Sequence, residues 1–242
     1  MDLFSPYFRS IRLKRDKVPG FGSFPFNLAA IKAMDELVLH PDVTFIVGEN
    51  GMGKSTLLEA IALSMGFNAE GGSLNFNFST YDSHSNLDEY LTVVRGTERP
   101  KDGFFLRAES FYNVATNIED LGVIDSYGGK SLHEQSHGES FFSTFQNRFR
   151  GKGIYILDEP EAALSPLRQL SIVSRIHELV YDHSQFIIAT HSPIMMAYPS
   201  AKIVELTEDG MQEVNLEETQ HYQVMKQFFD DRDRMMHHLL KP

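Results

Sequence analysis

Val43-Thr44-Phe45-Ile46-Val47-Gly48-Glu49-Asn50-Gly51-Met52-Gly53-Lys54-Ser55-Thr56 is the stretch on which the fold class turns. Its first five residues are apolar and β-prone, as a strand buried on both faces of a parallel sheet requires. A glycine-rich turn follows. Lys54 to Met65 then supply good helix formers, with Gly66 placed to stop them. Gly48 to Ser55 matches the G-x-x-x-x-G-K-[ST] pattern, and it stands between a strand and a helix, the context that gives the pattern meaning. Glycines let such a loop curl so that successive N–H groups point at phosphates, and the following helix adds its positive end. Glu49, Asn50, Gly51, Met52, Gly53 and Thr56 are expected around the phosphates. Lys54 would reach the β- and γ-phosphates, and the Ser55 hydroxyl would ligate Mg²⁺.

Farther along, Ile154-Tyr155-Ile156-Leu157-Asp158-Glu159-Pro160 is an apolar strand that delivers two adjacent carboxylates at its C-terminal end. Ligands of open α/β sheets bind outside such ends. Asp158 is expected to hold the Mg²⁺ through its water shell, and Glu159 to polarise a water attacking the γ-phosphate. Without the phosphate loop the pair would read as a solvated acidic turn. Thr190-His191-Ser192-Pro193 directly follows a second buried-type strand, Phe186 to Ala189. His191 is therefore expected in line with the phosphate loop, donating a hydrogen bond to the γ-phosphate or the water. Ser136-His137-Gly138-Glu139-Ser140 precedes a Phe-rich helix and on its own reads as a helix cap.

Residues 7–47 read as strands punctuated by Pro19-Gly20-Phe21-Gly22. Leu74, Phe76 and Phe78 alternate with polar residues, which predicts an edge or surface strand. Phe104-Phe105-Leu106 leads into a mostly helical stretch up to Arg150, where Phe141, Phe142, Phe145 and Phe149 fall at helical spacing as core positions. Ser165-Pro166 starts another helix, Asp209-Gly210 a hairpin turn, and terminal helices run from about Glu217. The expected architecture is α/β: a P-loop core with a mostly parallel sheet, an N-terminal antiparallel β portion and a helical insertion. One domain is expected over 1–242, with the helical subdomain at about 109–150 and the C-terminal hairpin and helices at about 201–242.

The chain has 242 residues, 42% of them hydrophobic and 23% charged, an ordinary globular composition. No cysteine is present, which excludes disulfides, iron–sulfur clusters and Cys-based zinc sites. A net charge of −11 argues against a surface coated for nucleic acid. The dense basic stretch Arg9, Arg12, Lys14, Arg15, Lys17 reads as a solvated strand face or a local DNA contact. With no secretory h-region and no apolar run of bilayer-spanning length, the cytoplasm is the expected location and no membrane segment is expected.

Taken in order, these four motifs resemble the ABC ATPases over about Val43 to Pro193, and within them the stand-alone RecF/Rad50/SMC-like branch, whose members often carry the description of AAA-family ATPases. The resemblance implies ATP with Mg²⁺ sandwiched head to tail in a homodimer that forms on ATP binding. Ser136 and Gly138 would then contact the γ-phosphate held by the opposite chain, and Ala162-Ala163-Leu164-Ser165 would cross the interface. Three departures stand out. The usual signature Ser-x-Gly-Gly-Gln ends here in Glu139-Ser140. The usual Gln ligand of Mg²⁺ has no counterpart between Leu57 and Lys130, and Glu109 is taken as its stand-in. The adenine-stacking aromatic is one of Phe21, Phe24 or Phe26.

The function expected on this basis is Mg-dependent ATP binding and hydrolysis gating a DNA- or partner-related activity, in DNA repair or in defence against foreign DNA, through DNA or a separate effector chain. The alternatives are the nucleotide-binding subunit of a membrane transporter, and a slow or non-hydrolysing nucleotide switch. The altered signature, the absent Gln and Ser192-Pro193 after His191, where transporter subunits carry Asp, weigh against the transporter. His133 and His137 have the spacing of a helical ligand pair, but they flank the signature and read as structural.

Overall fold

The apolar run Val43–Val47 is wholly buried and lies third from one edge of a seven-stranded sheet. The computed structural model describes residues 5–74, 85–162 and 164–241. Phe76 and Phe78 of the expected edge strand, Ala163 of the expected interface loop and the side chain of His137 lie outside what is described.

In chain order the first strands are β1 (Phe8–Leu13), β2 (Glu36–Val38), β3 (Val43–Val47), β4 (Gly72–Ser73) and β5 (Leu91–Arg95). Then come β6 (Asp102–Arg107), β7 (Gly153–Asp158), β8 (Gln185–Ala189), β9 (Lys202–Thr207) and β10 (Gly210–Val214). The helices are α1 (Ala29–Ala33), α2 (Lys54–Met65), α3 (Phe111–Asp120) and α4 (His137–Arg148), followed by α5 (Pro166–Tyr181), α6 (Pro193–Met196), α7 (Gln220–Asp230) and α8 (Arg232–Leu239).

The main sheet runs β10-β9-β3-β8-β7-β6-β4. Its five inner strands are parallel, and β10 and β4 close the edges antiparallel. A second, antiparallel sheet has the order β2-β1-β5. The expected α/β fold, a mostly parallel core with an N-terminal antiparallel portion, is what the chain adopts. The N-terminal segment departs from an all-strand reading at Ala29–Ala33, which forms the short helix α1 and buries Ala30 and Ile31. β5 was not foreseen; only pairing with β1, far back in the chain, defines it.

Alternation along each strand divides the core. Ile154 and Ile156 of β7 and Ile187 of β8 face α2 and the small sheet. Tyr155, Leu157, Phe186 and Ile188 face the layer of α3 to α6. Phe141, Phe145 and Phe149 are buried in that second layer, and Phe142 packs against it half-buried. Ser165 caps α5, its hydroxyl accepting from the Arg168 N–H at 3.4 Å, and Pro166 follows at the first helical position. Ile172, Ile176 and Leu179 form that helix's buried stripe, each contributing about 1.5–3 kcal/mol through burial.

Strand register positions the site. Arg107 of β6 pairs with Asp158 of β7, Asp158 with Ala189 of β8, and Ala189 with Ile46 of β3. Four strands therefore end abreast. The residues that follow them, including the phosphate loop, Glu159 and His191, emerge at one edge of the sheet.

Candidate nucleotide site

Gly48 to Ser55 wraps from the end of β3 into α2. Gly48 has φ 138°, and a Cβ there would collide with the Leu206 carbonyl oxygen. Gly53, at φ 90°, stands immediately before α2; its Cβ would lie 2.7 Å from a Leu28 methyl. Only glycine suits both positions. Within the loop, Lys54 folds back on its own backbone, and Nζ donates to the carbonyls of Gly48 at 2.9 Å and Glu49 at 3.0 Å. Burial lowers its pKa, against the opposing pull of Glu159, Asp158 and Glu161. Such an ammonium is matched by phosphate oxygens, which can take over the contacts the carbonyls provide.

Ser55 lies in the first turn of α2, and its hydroxyl donates to Asp158 Oδ1 at 3.1 Å. Asp158 is buried at the end of β7, and burial pushes its pKa up to about 6 even though Arg107 and Ser55 pull it down. Here burial outweighs the ion pair, because the Arg107 Nε stands 3.7 Å from Oδ2 while Nη1 is engaged by Glu59. A hydroxyl and one carboxylate beside a phosphate loop are a donor set suited to Mg²⁺, which draws its remaining ligands from water and substrate phosphates. Among the described residues no cluster of three or more His, Asp or Glu side chains is arranged to hold a metal unaided. The residues thus fit a Mg-nucleotide.

Glu159 follows Asp158 with φ 50°, the left-handed region that a non-glycine residue enters at a cost of about 1–3 kcal/mol. Its N–H donates to the Ala189 carbonyl at 3.0 Å, which fastens the turn to β8. The carboxylate Oε1 then stands 3.5 Å from His191 Nε2. His191 in turn is held by its backbone N–H, which donates to Glu161 Oε1 at 2.6 Å, and by its Nδ1, 2.8 Å from His221 Nε2. Burial lowers the pKa of His191, with Lys54 and His221 acting in the same direction.

An open cleft of about 350 Å³ lies over these groups, lined by Phe24, Leu28, Asn50, Gly51, Gly53, Lys54, Ser55, Thr56 and Glu159. Of the three aromatic candidates, Phe24 lines the cleft and is 62% exposed. Phe26 is buried edge-on to Tyr90, and Phe21 lies under the Arg15 guanidinium. Met52 packs into the hydrophobic core rather than the cleft. A larger cavity, about 420 Å³, lies where Asp102 opens β6, at the other end of that strand. Its buried charges satisfy one another: Arg148 donates to both Asp102 carboxylate oxygens at 2.8 Å, and Tyr155 donates at 2.8 Å. It holds nothing poised to react.

Not every expected residue converges here. Glu109 is 86% exposed on its side chain and pairs with Arg107 at 3.5 Å; Arg107 itself is the group at that strand end that reaches Asp158. Ser136 caps α4 in a closed capping box, with its N–H and hydroxyl both donating to Glu139 Oε2, at 3.0 and 2.7 Å. Gly138 is buried in the first turn of the same helix. In the basic stretch, Arg12 pairs with Glu36 at 3.0 Å and Arg15 with Asp35 at 3.4 Å, while Lys14 donates to the Glu89 carbonyl at 2.9 Å. Sequence reasoning missed His221, Gln220 and Arg107. His221 and Gln220 follow a Thr219 cap like any helix start, so nothing local marks them.

A family model described as an AAA domain matches residues 17–148, more than half of the chain and inclusive of the phosphate loop and Ser136. The chain belongs to the AAA domain family. ATPases of this kind bind ATP, typically with Mg²⁺. Among curated relatives of this AAA-domain chain, the ribose import ATP-binding protein RbsA of Yersinia pestis is 27% identical over 221 residues, covering 81% of this chain and 41% of that protein. The chain thus spans about two fifths of that relative's length. Among solved structures, the SMC head domain from Thermotoga maritima is 17% identical, covering 86% of this chain and 98% of that one with a TM-score of 0.46. A nucleotide-free ATP-binding cassette from an ABC transporter is 16% identical, covering 87% and 90% with a TM-score of 0.47.

Proposed function

We propose that this AAA-domain ATPase binds and hydrolyses ATP with Mg²⁺ in a dimer that closes on two nucleotides, and that closure gates a DNA- or partner-directed activity in the cytoplasm. The observation that carries the reading is the meeting of two pairs at one sheet edge: Ser55 with Asp158, and Glu159 with His191. Lys54, released from the Gly48 and Glu49 carbonyls, binds the β- and γ-phosphates, and the loop's N–H groups take the rest. Phe24 offers its exposed ring to the adenine. Ser55 and Asp158 would hold Mg²⁺, which would supply charge neutralisation on the phosphates. Glu159 accepts a proton from the attacking water, and His191 Nε2–H steadies the γ-phosphate end. The products are ADP and phosphate.

In the dimer, Ser136 and Gly138 of one chain face the nucleotide of the other. Ser136 must then give up its bond to Glu139, which sets a threshold for closure. The test is light scattering of the Glu159→Gln protein with Mg-ATP and with Mg-ADP. A dimer with ATP alone supports the mechanism; a monomer with both removes the sandwich. The likeness to a ribose import protein favours a second reading, the nucleotide-binding subunit of a transporter. No helix among the described residues is long and apolar enough to cross a membrane, so that role needs a membrane partner. ATP turnover stimulated by duplex DNA favours the first reading. Turnover indifferent to DNA, with the chain recovered on a detergent-solubilised membrane protein, favours the second.

A further inference from the structure

The start of α7 reaches the nucleotide site through two consecutive side chains. Gln220 Nε2 donates to Glu49 Oε1 in the phosphate loop at 2.8 Å. His221 Nε2 lies 2.8 Å from His191 Nδ1, with the two rings edge to face and 4.9 Å between centroids. Thr219, fully buried, anchors this turn; its hydroxyl donates to the Leu216 carbonyl at 2.7 Å and accepts from the Tyr222 N–H at 3.4 Å. No residue of α7 or α8 is itself fully buried.

We infer that His221 is a positioning residue for the ATPase reaction: it fixes the tautomer of His191, so that His191 presents Nε2–H to Glu159 and the phosphate end. This rests on the function proposed above. The chemistry follows from what each nitrogen faces. Glu159 Oε1 can only accept, and His191 Nε2 faces it from 3.5 Å, beyond a formed hydrogen bond, so the carboxylate's field favours a hydrogen on that nitrogen. Burial keeps His191 neutral at pH 7, which leaves its Nδ1 as an acceptor. His221 Nε2 must therefore donate to it. His191 Nε2 and His221 Nδ1 are both buried with no hydrogen-bond partner in range, so the 2.8 Å contact between the rings is the one hydrogen bond that orders the pair. In the opposite tautomer, His191 would turn a lone pair toward a carboxylate. The order His221, His191, Glu159 thus has one consistent direction of donation, and Gln220 sets its distance from the phosphate loop.

Imidazole ¹⁵N–¹H spectra together with steady-state ATP turnover test the assignment, in the wild type and in His221→Leu, His221→Gln and Glu159→Gln. The His191 signals are identified by their loss in His191→Asn. His221→Gln keeps a donor at the Nε2 position and His221→Leu removes it. The wild type is expected to show His191 as the Nε2–H form. His221→Leu should mix the tautomers and lower kcat roughly tenfold with KM within about twofold, and His221→Gln should recover most of the rate. Should His221→Leu fail to fold, His221→Asn, whose amide stops short of Nε2, replaces it. A His191 tautomer unchanged in the leucine variant, or a wild-type kcat there, overturns the inference. Equal turnover by Glu159→Gln and wild type would instead overturn the ATPase mechanism, and the tautomer readout would still decide the role of His221.

Discussion

Ser55 and Asp158 stand 103 positions apart in the chain, yet the serine hydroxyl donates to the aspartate Oδ1 at 3.1 Å. The helix after the phosphate loop is thereby joined to the end of β7 before any ligand arrives. Replacing Ser55 with Ala leaves Asp158 with a single cationic neighbour at 3.7 Å. The expected cost is about 1.5–3 kcal/mol of stability, the range for a hydrogen bond to a charged group. The larger effect falls on magnesium. Calorimetric titration with ATP should show affinity in Mg²⁺ falling about tenfold, and affinity in EDTA unchanged. Equal affinities in Mg²⁺ would show that Ser55 is not a ligand.

The histidine pair predicts a stability change with pH. Burial lowers the pKa of both His191 and His221 below the ordinary 6.5. Between the lowered folded values and 6.5 the unfolded chain binds more protons than the native one. The pair's contribution is therefore complete above 6.5 and is lost as pH falls through the folded values. Asp158 and Glu161, both raised by burial, act in the opposite sense over an overlapping range. The informative quantity is then a difference. The urea midpoint of wild type minus that of a His191→Asn, His221→Asn double variant should hold steady above about pH 6.5 and decline below it. A flat difference would mean that the pair folds without a protonation penalty.

Tyr155 tests the far end of the same strand. Its hydroxyl donates to Asp102 at 2.8 Å and accepts from the Arg150 N–H at 2.7 Å. Tyr155→Phe keeps the stacked ring on Phe149, 4.3 Å between centroids, and removes only the oxygen. The expected loss is about 1–3 kcal/mol by urea denaturation, because an N–H and a carboxylate oxygen lose a partner. ATP turnover should be unaffected, since the nucleotide cleft lies at the other end of β7. A parallel loss of turnover would tie that end to the site.

Glu139 offers a prediction of gain. Its carboxylate takes both hydrogens of Ser136, and Arg168 stands 3.8 Å away on the other side. Glu139→Ala removes half of the capping box, at about 1 kcal/mol for α4, and frees the serine hydroxyl. In a Glu159→Gln background the ATP-bound dimer should form at a lower protein concentration, measured by analytical ultracentrifugation. An unchanged or weaker association would mean that Ser136 takes no part in closure.

The site's frame is legible in the sequence wherever the signal is local. Val43–Val47, Ile154–Leu157 and Phe186–Ala189 are apolar runs of strand length, each ending in a motif, and Ser165-Pro166 announces α5. The partners contributed from a distance are not legible. β5 shows a mixed burial pattern, and it is a strand because Leu91 to Arg95 pair with β1. Arg107 looks like the polar end of an apolar strand until the register places it against Asp158. His221 follows a Thr cap and has no spacing relation to His191; only the packing of the chain brings the rings together. The expected Glu109 came from matching position along the chain; β6 ends at Arg107, whose guanidinium reaches Asp158, and Glu109 lies two residues beyond, exposed and paired with Arg107.

The root of α7 has a consequence for how the protein moves. Beyond Thr219 no residue of the last two helices is fully buried, and Gln220 and His221 tie them to the site. Two such bonds are worth about 1–3 kcal/mol together, a small share of what holds a domain folded. A clasp of that strength opens without unfolding anything else. On the proposed mechanism, whatever grips the outer face of α7 and turns it about Thr219 would draw one histidine off another and slow hydrolysis from outside the cleft.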